Sequence, residues 1–134
     1  MTPTDQARMV VERYCAAWSG ADLVGLLDCY ADEFTLHYFG QNPFSGDHVG
    51  KEAAVAVLVE VSTLAPRTLL AVEQIMAGPD AATIVVRERL ERDGEAHDLR
   101  RVLRFRVAGD HLAECWLYDE DQRLIDRLWR RGKG

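Results

Sequence analysis

The sequence has no run approaching the roughly 20 consecutive apolar residues that a membrane-spanning helix needs. It does not open like a secretory leader, since Met1 is followed by Thr2, Pro3, Thr4, Asp5 and Gln6. It has only three cysteines, Cys15, Cys29 and Cys115, an odd number with no close pair. That argues against a disulfide framework and against zinc held by a CxxC motif. Nor is there an excess of positive charge: the formal net charge is −6, whereas nucleic-acid binding needs a basic face that displaces counterions. Arginines do concentrate in the C-terminal half, from Arg87 through Arg106 to Arg131. Many alternate with acids or fall on the polar side of a strand, the pattern of a solvated, salt-bridged sheet surface. These features predict a reduced, cytoplasmic protein without a nucleic-acid or membrane partner and without a metal.

What is present fits one globular domain over residues 1–134. Apolar residues make up 48% and charged residues 28%, and a chain of this length buries roughly two-thirds of its unfolded surface. Thr2, Pro3 and Asp5 form a helix start with a capping box. Ala7, Val10, Val11, Tyr14, Ala17 and Trp18 then recur at helical spacing, and Gly20 ends the helix. Asp22 begins a short second helix with Leu23, Leu26, Leu27 and Tyr30 on one face. Phe34 to Phe39 reads as a strand, followed by the turn chemistry of Gly40 to Gly46. Gly50 opens a third helix that Pro66 stops.

Beyond Pro66 the period changes from helical to alternating. Strands are predicted over Thr68 to Met76, Ala82 to Arg92, Glu95 to Val107 and His111 to Tyr118, with Asp93-Gly94 a hairpin turn. Asp119, Glu120 and Asp121 lead into a short tail helix carrying Leu124, Ile125, Leu128 and Trp129. Helices followed by an antiparallel meander give an α+β fold with a curved sheet whose concave face, closed by helices, forms a pocket.

Alternation selects the side chains that face inward. Leu99, Arg101, Leu103, Phe105 and Val107 share the buried face of their strand, so Arg101 needs a partner or a ligand, because burying a bare guanidinium costs several kcal/mol, roughly. On the preceding strand Glu88 interrupts Ile84, Val86 and Leu90. With Asp93-Gly94 as the turn, Val86 lies opposite Arg101 and Glu88 on its diagonal. With Gly109-Asp110 as the next turn, Tyr118 lies opposite Arg101, on a face with Leu112, Glu114 and Trp116. Two readings follow. Glu88, Arg101 and Tyr118 form either a buried ion pair that fixes sheet register or a clamp for an anion or carbonyl. His37 has the pKa range of a general base, although strict alternation turns it away from Leu36 and Tyr38. Asp119 and Asp121 stand at the pocket rim as acid–base candidates, or else serve the tail helix as caps. Tyr14 and Trp18 line the pocket or the core.

The run from Leu36-His37-Tyr38-Phe39-Gly40 to Gly50-Lys51-Glu52-Ala53 resembles the strand, turn and third-helix segment of SnoaL-like, polyketide cyclase-like proteins. So do Tyr14 to Trp18, Asp22 and Tyr30 to Phe34 upstream, and Glu114-Cys115-Trp116 near the end. The resemblance implies the nuclear transport factor 2-like, cystatin-like α+β barrel: a cone-shaped, mixed or antiparallel sheet with three N-terminal helices. It implies a homodimer through the outer sheet face and a small hydrophobic ligand. The implied chemistry is cyclisation, isomerisation or hydration of a polyketide- or terpenoid-like substrate, with no cofactor. Tyr14 matches the helix tyrosine of the ketosteroid isomerases, but their aspartate base falls at Tyr38 or His37 and their second aspartate near Arg101. Epoxide hydrolases of the superfamily use an arginine with two aspartates, which Arg101 with Glu88 echoes in part. Polyketide cyclases place an acid just after the last-strand tryptophan, at Asp119 to Asp121. The expected base is thus His37 or one of these acids. Arg101 and Tyr118 would hold the oxyanion, Glu88 would orient Arg101, and Tyr14, Trp18, Tyr38 and Trp116 would shape the pocket.

Overall fold

A computed structural model describes residues 1–130; Arg131 of the arginine-rich half lies outside the described residues. Helix α1 (Pro3–Ser19) starts where expected: Thr2 Oγ1 accepts from the Asp5 amide, and Asp5 accepts in return from the Thr2 amide. Its face of Ala7, Val10, Val11, Tyr14 and Cys15 is buried. Helix α2 (Leu23–Asp28) is capped by Asp22, whose carboxylate accepts from the Gly25 amide. Strand β1 (Tyr30–Tyr38) starts earlier than its sequence predicts, taking Tyr30 out of α2. A short strand β2 (Gly46–Val49), which composition does not reveal, pairs back on β1 before helix α3 (Lys51–Leu64). Two helices therefore precede the sheet and the third follows its first two strands.

Strands β3 (Arg67–Ala77), β4 (Ala81–Arg92), β5 (Glu95–Ala108) and β6 (His111–Asp119) form the meander, and helix α4 (Gln122–Leu128) closes the described chain. The spatial order is β2-β1-β6-β5-β4-β3. All neighbours are antiparallel except β1 and β6, which run parallel, so the sheet is mixed. Asp93 and Gly94 both take positive φ, 54° and 80°, as a two-residue hairpin turn requires. The β4–β5 register is the expected one, with Val86 opposite Arg101.

The β5–β6 register is not. Ala108 pairs with His111 and Val107 with Leu112, but Arg106 pairs with Glu114, so Ala113 is an extra residue on β6. This β-bulge shifts every later pair by one. Asp119 stands opposite Arg101, and Tyr118 moves opposite Val102. Leu112 and Ala113 are both buried, and beyond them Cys115, Leu117 and Asp119 face in while Glu114, Trp116 and Tyr118 face out. The core lies between α1, α3 and the concave sheet face, and Ile125, Leu128 and Trp129 join it from the tail. The three cysteines are buried and unpaired. Among the described residues no helix is long and apolar enough to cross a membrane.

Candidate active site

A cavity of about 440 Å³ opens between α2, α3 and the inner sheet face. Its apolar walls include Trp18, Leu26, Leu27, Val55, Leu58, Leu103 and Leu117, and its polar groups include Tyr14, Tyr30, Ser62, Arg67, Glu88 and Arg101. This size and apolar lining are those of a small-molecule pocket. A larger groove of about 1060 Å³ runs over the surface beside α1, α2 and β1. Its Asp22, Asp32, Glu33 and Asp110 are exposed, so water screens them.

Glu88 and Arg101 stand on the cavity wall although each is only 1% exposed. The Arg101 guanidinium is held on three sides. Nε and Nη2 donate to the Asp119 carboxylate at 2.6 and 3.4 Å, Nη1 to Glu88 Oε1 at 3.3 Å, and Nη2 to the Tyr38 hydroxyl at 3.2 Å. Behind it, the indole N–H of Trp129 donates to the same Tyr38 hydroxyl at 2.6 Å. Burial works against the charge on Arg101, but Tyr38, Asp119 and Glu88 outweigh it and keep the guanidinium charged. Arg101 accounts for one oxygen of Glu88 only. No sealed side-chain oxygen or nitrogen among the described residues lacks a partner, so Glu88 Oε2 meets the cavity. The Asp119 carboxylate is turned to Arg101 instead.

The Tyr14 and Tyr30 hydroxyls lie 3.0 Å apart on another part of the wall. Burial raises both well above the usual phenol range, so both are neutral at physiological pH. One hydroxyl donates to the other, leaving one proton of the pair for a ligand oxygen.

Other candidates fall outside this pocket. His37 stands on the outer sheet face, where Nδ1 meets Asp47 at 2.7 Å and Nε2 meets Glu114. Trp116 stacks flat on the imidazole at 5.0 Å, and Arg104 covers the indole at 4.8 Å. Burial alone would lower the His37 pKa, but its bonds to Glu114 and Asp47 prevail and raise it above the ordinary value. His37 thus does not share a cavity with Arg101. Tyr118 is 45% exposed and stacks on Phe39, so it neither caps Arg101 nor lines the pocket; the bulge at Ala113 carried both it and Trp116 outward. Asp121 caps α4, accepting from the Leu124 amide, and takes no part in the cluster. Tyr14, Trp18, Glu88 and Arg101 do meet around the cavity, while Tyr38 and Asp119 support it from behind.

Sequence reasoning passed over Tyr30, Arg67 and Trp129 as site residues. Tyr30 read as helical, Arg67 fell between the Pro66 stop and the strand expected from Thr68, and Trp129 read as an apolar tail residue. None carries a local signal, because their roles depend on contacts across the sheet. The two carboxylates around one arginine, half-visible in the sequence, are completed by Asp119.

The comparisons with known proteins match this architecture. A protein of Mycobacterium tuberculosis, described as uncharacterized, is 27% identical over 129 residues, covering 94% of this chain and 98% of the relative. A Xanthomonas campestris protein of unknown function with a cystatin-like fold superposes with a TM-score of 0.85 at 21% identity, over 98% of this chain and 100% of the other. A candidate polyketide cyclase from the same species superposes with a TM-score of 0.72 at 17% identity, over 95% and 99% of the two chains. Such structural likeness establishes the nuclear transport factor 2-like, cystatin-like fold and not a reaction. The model of the SnoaL-like domain matches residues 11–115, most of the chain. By that match, and with the fold in agreement, the protein belongs to the SnoaL-like domain family.

Proposed function

We propose that this protein is an enzyme performing proton-transfer chemistry on an apolar, oxygenated small molecule held in the 440 Å³ cavity. The observation that carries this reading is Glu88. Its carboxylate stands on a mostly apolar wall with one oxygen held by Arg101 and the other free toward the ligand. A carboxylate fixed in this way can take a proton from a carbon next to a carbonyl. The electron pair then moves to the carbonyl oxygen, which the Tyr14–Tyr30 hydroxyl pair is placed to stabilise. Arg101, itself braced by Asp119 and Tyr38, keeps Glu88 oriented. Returning the proton at another atom is an isomerisation; closing a ring from the enolate is a cyclisation; hydration uses the same group as the base for water. This assignment moves the base from His37 and the rim acids to Glu88.

The test uses β-tetralone, a two-ring ketone, in deuterated buffer. Wild-type protein is expected to accelerate exchange at the α-carbon by about 10² or more, the usual contribution of a positioned base. Glu88→Gln should bind the ketone and lose the acceleration. If β-tetralone binds but its exchange matches buffer, the catalytic reading fails. The second reading, a non-catalytic binder of small apolar ligands, would then stand. It is favoured by the completeness with which Arg101 is satisfied by Glu88, Asp119 and Tyr38. The homodimer expected from the resemblance is proposed for the outer sheet face, where Phe39 and Tyr118 are exposed.

A further inference from the structure

The cavity changes in polarity from floor to rim. Glu88 and Arg101 lie at the buried end, whereas Leu23 and Val59 at the rim are 67% and 58% exposed. Arg67, the first residue of β3, lines the same cavity and is half-buried. Its Nη2 donates to Ser62 Oγ at 3.0 Å, the last-turn serine of α3. Among the described residues no carboxylate lies within ion-pair distance of Arg67. By contrast Arg89 and Arg106 each have one, and Arg100 and Arg101 each have two. Its field nevertheless reaches inward. Burial raises the Tyr14 and Tyr30 hydroxyls, and the charge of Arg67 opposes that rise at both.

A guanidinium has five N–H donors in a planar fork. Ser62 occupies one side of it. A ligand long enough to fill the cavity to the rim would strip water from the others, at a cost unless it supplies acceptors. A carboxylate, or an acidic enol or phenol oxygen, supplies them in matching geometry. The overall charge of −6 gives the molecule no general attraction for anions, and Glu88 at the floor repels them, so the acidic end belongs at Arg67.

We infer that the ligand of this pocket is an organic acid: an apolar ring system whose anionic oxygen is bound by Arg67 at the rim while its body reaches toward Glu88. This assignment rests on the cavity being the ligand site. It makes Arg67 a specificity-determining residue, with Ser62 as the group that orients it.

The test is calorimetric titration at pH 7 with 2-naphthoate and its neutral counterpart 2-naphthamide. Wild-type protein is expected to prefer the carboxylate by about tenfold or more, the scale of a charge-assisted pair. Arg67→Gln should abolish the preference by weakening naphthoate alone, and Arg67→Lys should restore part of it. Unchanged binding of the amide shows that the variant pocket is folded. If wild type binds both probes alike, or Arg67→Gln keeps the preference, the assignment to Arg67 is wrong while the pocket reading survives. If neither probe binds, the pocket reading falls and this inference with it.

Discussion

Replacing Arg101 with Met keeps an unbranched apolar stem but removes the guanidinium that stands between two buried carboxylates. The Asp119 side chain is 1% exposed and both its oxygens accept from Arg101. The Glu88 side chain is 2% exposed but has Oε2 at the cavity, where water can reach it. Removing one partner of a buried pair costs about 3–5 kcal/mol, because the remaining charge is left uncompensated. Against a total stability of roughly 5–15 kcal/mol this is severe but survivable. With a urea m-value of about 1.5 kcal/mol/M, the midpoint should fall by about 2–3 M. The two carboxylates should not share the loss equally. Adding Asp119→Asn to Arg101→Met should recover about 2 kcal/mol or more, since it removes the charge that has no water. Adding Glu88→Gln should recover about 1 kcal/mol or less, since water entering the cavity would hydrate that group. The assay is equilibrium urea unfolding of the wild type, the single variant and both double variants, with fluorescence and circular dichroism transitions required to coincide. A loss under about 1 kcal/mol for Arg101→Met would refute the buried-counterion account. Equal rescue by the two second changes would refute the placement of Glu88 at the cavity.

The outer-face cluster around His37 should give a bell-shaped contribution to stability. The folded-state pKa of His37 is raised above 6.5, so its contribution is complete below that pH and lost as pH rises through the raised value. Hydrogen bonding from His37 lowers the Glu114 pKa below 4.5, so its contribution is present above that pH and lost as pH falls through the lowered value. The stability difference between wild type and His37→Gln should therefore peak between these two pH values and shrink on either side; a flat difference in urea melts across pH would contradict the clamp. Gly40 has φ of 101°, and a Cβ there would collide with the Gln122 and Asp126 side chains, which bond to each other at 2.9 Å, while Asp126 also holds Asn42 at 2.8 Å. Gly40→Ala should cost about 2–3 kcal/mol through strain and lost hydrogen bonds. Gly109→Ala, at φ of 59° with open space around it, should cost only about 1 kcal/mol; equal losses in thermal unfolding would count against the packed α4 loop.

The amino-acid sequence determined by itself whatever depends on neighbours a few residues apart. Thr2 and Asp5 cap α1, Pro66 stops α3 and Asp93-Gly94 turns β4 into β5, because each acts through its own backbone and needs no distant partner. The turn in turn fixed the β4–β5 register, so the diagonal of Glu88 and Arg101 is legible in the sequence alone. Tertiary structure decided the rest. One extra residue at Ala113 exchanged the two faces of β6, bringing Asp119 to Arg101 and sending Tyr118 and Trp116 outward. Alternation along a strand cannot announce such a bulge, since the signal has period two and a slip of one inverts it. The parallel pairing of β1 with β6, the reach of Trp129 to Tyr38 and the meeting of Arg67 with Tyr14 and Tyr30 in one cavity likewise join residues far apart in the chain. Only the curved sheet, packed under α1 and α3, brings those groups together.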